Sequence, residues 1–242
     1  MAIIRIKYEK LQPVRYISHL DLMRAFERAL RRAQMPIAYT QGFHPRPKFS
    51  LASALAVGIT SEAEYGDFEL VQAVNPEEFA AKVNAYLPEG VRILAASLVA
   101  EDTPKLMAVV DRATYRCIAS PTPGVDIEAV TEAADQLMAS PQVVITRERK
   151  GKIREVDIRP FLFDISVAPA PDELTEQDLD KLAIDFEVAS GSAGNLRPEE
   201  LLRLLPIEPH QTIHRTGLFI TVNGKPESPM EGIPRGVESE GS

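Results

Sequence analysis

Over its first hundred residues the chain changes hydrophobic period repeatedly, and the order of those changes constrains its fold more than any other feature. IIRIKYEKLQ alternates apolar and charged residues, the period of two expected of a half-buried strand. Leu20, Leu22, Met23, Phe26, Ala29, Leu30 and Ala33 then recur at helical spacing. Ser18 is placed to cap that helix, with Asp21 as the acidic partner of a capping box, and Pro36 closes it. SLASALAVG and AEYGDFELV read as extended segments. Asn75 caps a second helix, PEEFAAKVNAYLP, with Pro76 in its first turn, and VRILAASLV follows as a strand.

Strand, helix, strand, strand, helix, strand is the ferredoxin-like βαββαβ order. EDTPK, residues 101–105, is a plausible boundary, and the elements beyond it resemble a second copy. ATYRCIAS reads as a strand and DIEAVTEAADQLMAS as an amphipathic helix. VVITRERKGKIREVDIRP reads as a hairpin around Lys150-Gly151, and FLFDISVAP extends the sheet. APAPDELTEQDLD is an acidic loop or edge; LAIDFEVAS, RPEELLRLLP and HQTIHRTGLFI supply a strand, a short helix and a last strand. The expectation is an α+β protein of two tandem ferredoxin-like halves, residues 1–103 and 104–222, with a cleft between them. Residues 223–242 are few in apolar and rich in Pro and Gly, so a disordered tail is expected there.

The net charge of -8 is unevenly spread. Residues 1–60 hold ten Lys/Arg against three Asp/Glu, and residues 141–160 hold six against three; residues 61–140 and 161–210 are acidic. Local field rather than net charge decides what binds where. The first helix carries Arg24, Arg28, Arg31 and Arg32 opposite its apolar stripe. The segment after it, AYTQGFHPRPKFS, adds Tyr39, Phe43, His44, Arg46, Lys48 and Phe49 around Gly42 and two prolines. Cations neutralise phosphates and aromatic faces stack on unpaired bases, so this combination points to RNA. Arg147, Arg149, Lys150, Lys152 and Arg154 give the hairpin a basic face by strand alternation, with Arg159 just beyond. A structural reading stands beside each: Phe43 and Phe49 as core anchors, the hairpin arginines paired across strands with Glu148, Glu155 and Asp157, and the basic faces merely solvated.

Catalysis has a narrower base. His44 with Lys48, and Tyr16 or Tyr39 nearby, fits metal-independent RNA cleavage, with histidine moving the proton and lysine stabilising the phosphate. His19 and Asp21 are better explained by their place at a helix start. His210 and His214 sit in an extended run, and GSAGN lacks the lysine of a phosphate cradle. HExxH, Walker and GxGxxG patterns are missing from the sequence. Cys117 is the single cysteine, expected as a small buried strand residue; no cofactor or metal is expected. The start, MAIIRIKYEK, does not read as a secretory signal, and no apolar run is long enough to span a bilayer, so a cytoplasmic location is expected.

The block from Arg15 to Leu70, RYISHLDLMRAFERALRRAQMPIAYTQGFHPRPKFSLASALAVGITSEAEYGDFEL, resembles the bacterial radical SAM-linked protein family, a domain of unknown function; ITRERKGKIREVDIRP is similar to the same family. The resemblance covers most of residues 1–220. It implies an RNA-linked setting, with a cobalamin-binding radical SAM protein and an E/G-type ribonuclease as partners. One cysteine cannot hold the three-cysteine cluster of a radical SAM enzyme, so this chain would be a companion. Three functions follow as expectations: an RNA-binding companion protein, an endoribonuclease using His44, or a protein adaptor docking through the acidic stretches 61–78 or 172–187.

Overall fold

Strand β1 (Ala2–Lys10) places Ile4, Ile6 and Tyr8 on one face, all buried. Helix α1 (His19–Arg32) starts where Ser18 Oγ accepts the Asp21 N–H at 3.2 Å, and it packs Leu22, Phe26, Ala29 and Leu30 onto that face. These residues belong to a computed structural model that describes residues 1–149, 151–171, 181–209 and 212–231. The protein is mixed α+β, with mostly antiparallel strands, and it divides into two compact units.

The first unit comprises Met1–Val57, Glu62–Val110 and the chain from Leu218 onward. After β1 and α1 come β2 (Phe49–Leu51), β3 (Thr60–Leu70), α2 (Pro76–Asn84), β4 (Val91–Val99) and the single turn α3 (Leu106–Val109). The strand order is β4–β1–β3, with β2 also on β3. β1 and β4 are antiparallel from Ile3↔Val99 to Lys10↔Val91, and β2 pairs antiparallel with β3 at Phe49↔Phe68. Asn75 caps α2 through Oδ1, which accepts the Glu77 and Glu78 N–H groups. Phe26, Phe68 and Phe79 form the centre of the core, and Phe49 stacks on Phe68 with ring centroids 5.0 Å apart.

The second unit comprises Gly58–Ser61 and Asp111–Gly217. Its elements are β5 (Val110–Ala119), α4 (Ile127–Ala139), β6 (Val144–Arg149), β7 (Lys152–Asp157), β8 (Leu162–Pro169), β9 (Leu182–Ala189), α5 (Pro198–Leu202) and β10 (Thr212–Val222). The strand order is β10–β5–β9–β8, with β9 antiparallel to both β5 and β8. β3 and β10 contribute residues to both units, so the division does not fall at a single linker near residue 103.

Three local expectations need revision. Of SLASALAVG only Ser50 and Leu51 are strand, the last two residues of β2. The β6–β7 hairpin forms a separate two-stranded sheet, because Lys152, Ile153, Arg154 and Glu155 are all exposed and neither face of β7 has enough apolar surface to join a larger one. The tail expected as disordered from residue 223 begins in order. Asn223 and Gly224 both have positive φ, the mark of a two-residue hairpin turn, and β11 (Lys225–Glu227) pairs back on β10. Pro229 then offers its carbonyl to Arg5 Nη1 at 2.9 Å. The rest of that tail, and residues 172–180 of the acidic loop, lie outside the described residues.

Candidate nucleic-acid interface

Helix geometry places Arg24, Arg28, Arg31 and Arg32 within about a 100° arc, on the side away from the buried stripe. All four are exposed. Arg24 Nη1 donates to Asp21 Oδ1 at 3.0 Å. That pair holds the Asp21 carboxyl below its ordinary range, after the larger effect of the Ser18 hydroxyl. Among the described residues, Arg28, Arg31 and Arg32 have no carboxylate partner.

Residues 38–48 form a narrow finger rather than an open loop. Ala38 N–H donates to Glu69 O (2.8 Å), Glu69 N–H to Lys48 O (3.0 Å) and Lys48 N–H to Ala38 O (2.7 Å), which joins the finger's base to β3. Farther out, Thr40 N–H donates to Arg46 O at 2.9 Å, Arg46 N–H donates to Thr40 Oγ1 at 3.0 Å, and Tyr39 bridges Pro47. Gly42 turns the tip with φ of 122°, a conformation that glycine alone takes readily. Tyr39, Phe43, His44 and Arg46 are exposed, and Phe43 is fully so at 102%. Phe43 is therefore no core anchor, whereas Phe49 is one. Lys48 differs from its expected role: its Nζ donates to Glu69 Oε2 at 3.1 Å, so much of its charge is already met.

The β6–β7 hairpin belongs to the second unit. Its register sets Arg147 opposite Arg154 and Arg149 opposite Lys152. Like charges directly opposed repel, and Arg147 avoids this by turning to α5. It makes a bidentate pair with Glu200, Nε to Oε1 at 2.9 Å and Nη2 to Oε2 at 2.7 Å, and also donates to the Asn195 carbonyl. Arg147 thus ties the hairpin to α5; its partner is Glu200 and not the cross-strand acids. Lys152 and Arg154 are exposed, and Lys150 lies outside the described residues. Arg159 is also structural, donating to the Met138 and Leu162 carbonyls. We expect Arg147→Ala to cost about 1–3 kcal/mol by leaving Glu200 unpaired. Urea denaturation of this variant against wild type checks the loss.

A family model described as an uncharacterized protein conserved in bacteria, DUF2344, matches residues 4–198. The chain belongs to that family. The family match takes in α1, the finger and the hairpin, and stops before β10. No curated protein matches the chain in sequence. Among solved structures it is similar to a chain of a crystallised Cbf5-Nop10-Gar1 complex, at 9% identity and a TM-score of 0.49. The similarity covers 89% of this chain and 48% of that one, so this chain spans about half its neighbour's length.

The histidine candidates stand in separate places. His44 is exposed at the finger tip with no hydrogen-bond partner among the described residues, while Lys48 faces Glu69. His214 Nδ1 lies 2.8 Å from Thr60 Oγ1, and His210 falls outside the described residues. Among the described residues no cluster of three or more His, Cys, Asp or Glu is arranged for a metal, and no helix is long and apolar enough to cross a membrane. Cys117 is fully buried on β5, and burial pushes its thiol up to about 12. We expect it to resist alkylation in the native state and to react only on unfolding, as mass spectrometry of iodoacetamide-treated protein with and without denaturant would record.

One buried polar site escaped the sequence reading. Lys10 is 2% exposed and Glu64 is 1% exposed, and both line a small cavity with Tyr8, Ser18 and His19. Lys10 Nζ donates to the Arg15 carbonyl at 2.8 Å; burial holds its ammonium below the ordinary value, and Glu64 opposes that shift. The cavity encloses about 10 Å³, room for no more than one water. The signal was present: alternation along β1 puts Lys10 on the face of Ile4, Ile6 and Tyr8.

Proposed function

We propose that this protein is an RNA-binding companion protein. It grips the RNA backbone with the arginine face of α1 and with Arg46 of the finger. Lys152 and Arg154 supply a second cationic element in the other unit. The observation that carries the reading is the set Arg28, Arg31, Arg32 and Arg46: four exposed guanidinium groups with no carboxylate partner among the described residues, in a chain whose acids outnumber its bases. Arginine suits phosphate through its planar donor fork. The position of Arg31 and Arg32 in the last turn of α1 also suits the helix dipole, which accounts for two of the four but not for Arg28 or Arg46.

Each half is, in this reading, ferredoxin-like. The strand order β4–β1–β3 with β2 on β3, and the order β10–β5–β9–β8, both support it. A radical SAM protein, with an E/G-type ribonuclease nearby, is the partner class implied by the sequence resemblance. The test is equilibrium binding of a single-stranded RNA between about 50 and 200 mM salt. Four phosphate contacts give a slope of log K against log salt near about -3. Absent or salt-independent binding overturns the reading, and recovery of a protein partner without RNA moves it to the adaptor class.

A further inference from the structure

Resting on the RNA-binding reading, we infer that Phe43 is a stacking residue for an unpaired base, and that the finger makes the site selective for single-stranded over duplex RNA. Phe43 stands at the tip with its whole side chain in water, while every aromatic neighbour in sequence is engaged elsewhere or only partly exposed: Tyr39 is 45% exposed and Phe49 is packed in the core. A phenylalanine left fully exposed forgoes the burial that most phenylalanines obtain. The finger also holds it in place. Two rungs of backbone hydrogen bonds, one hydroxyl bond and two prolines fix the stem, so little conformational freedom is lost when the tip is engaged.

The surroundings decide the occupant. The neighbours of Phe43 along the finger tip, Gln41, Gly42, His44, Pro45 and Arg46, are all exposed, and none is a large apolar residue such as a protein interface would gather. A lone ring beside a guanidinium with no carboxylate partner suits a nucleotide, which offers a flat face and a phosphate together. In duplex RNA each base face is already covered by its neighbours, and the deep major groove excludes a side chain of this kind. The ring therefore gains a partner only on an unpaired base.

The experiment compares wild type, Phe43→Ala and Phe43→Trp, each as the full chain, on a short single-stranded RNA and on a blunt duplex of the same length. Because Phe43 contributes nothing to the core, both variants fold, and thermal melts overlay with wild type. The expected result is a loss of roughly 5- to 150-fold in single-strand affinity for Phe43→Ala, the range for stacking one base. Duplex affinity and the salt slope stay unchanged, and Phe43→Trp restores single-strand binding. If wild type binds RNA and Phe43→Ala either matches it or weakens both substrates equally, the inference fails while the RNA-binding reading stands. If wild type binds neither RNA, both fail.

Discussion

On the RNA-binding proposal, replacing Arg28, Arg31 and Arg32 together with glutamate is expected to lower the affinity for single-stranded RNA by roughly 100-fold in about 0.1 M salt and to flatten the salt dependence. The magnitude follows from counterion release. Each phosphate contact on a single strand contributes about 0.7 to the slope of log K against log salt, so three lost contacts remove about 2. The electrostatic part vanishes near 1 M, and a slope of 2 over one decade of salt is a factor of about 100. The fold survives this change because all three side chains are exposed and the buried stripe of α1 is untouched. Some helix stability is lost, since acids in the last turn oppose the helix dipole by about 0.3–1 kcal/mol each. Arg24→Glu alone has a smaller effect on binding, because Arg24 already shares its charge with Asp21. A triple variant that melts like wild type and binds RNA with an unchanged slope would show that α1 is only a solvated face.

The second large effect is on stability. Asp67→Ala destabilises the protein by about 3–5 kcal/mol, the cost of leaving a buried charge without its partner. Arg5 is completely buried on β1, where Nε and Nη2 donate to the two Asp67 carboxylate oxygens at 2.8 and 2.9 Å. Nη1 donates to the Pro229 carbonyl, so among the described residues the Asp67 carboxylate is the one anion that answers its charge. Replacing both members with apolar residues of similar volume, Arg5→Met with Asp67→Leu, removes the stranded charge and costs less than Asp67→Ala alone. Urea denaturation of the two variants and wild type measures this ordering. A single Asp67→Ala variant within about 1 kcal/mol of wild type would mean that water reaches Arg5, contrary to its burial.

What could be read from the sequence was local. The cap at Ser18, the capped start of α2 and the strand β10 all rest on signals within one or two turns of chain, and they fold as read; the stripe of α1 does so except at Leu20, which is 66% exposed. Two phenylalanines mark the limit of that method. Phe43 and Phe49 are six positions apart, yet pairing with β3 sets Phe49 opposite Phe68 and against the core while Phe43 stays in water. Charge counting met the same limit. Lys48 and Arg147 contribute to basic stretches of sequence, but Glu69 and Glu200 reach them from distant segments and meet much of their charge. The hydrogen-bonded stem of the finger was likewise invisible, since its prolines signal only the lack of a regular strand. At residue 223 the composition argued for disorder and the Asn-Gly pair argued for a turn; the local turn signal prevailed.

The most informative single measurement is ultraviolet crosslinking of the full chain to RNA in cells, with the crosslinked peptides mapped and the bound RNA sequenced. Crosslinks concentrated on residues 39–46, with Phe43 as the modified position, and an RNA class bound through unpaired segments are the expected result. RNA crosslinks confined to other surfaces, or none above background, would contradict the finger and the α1 arginines as an RNA grip.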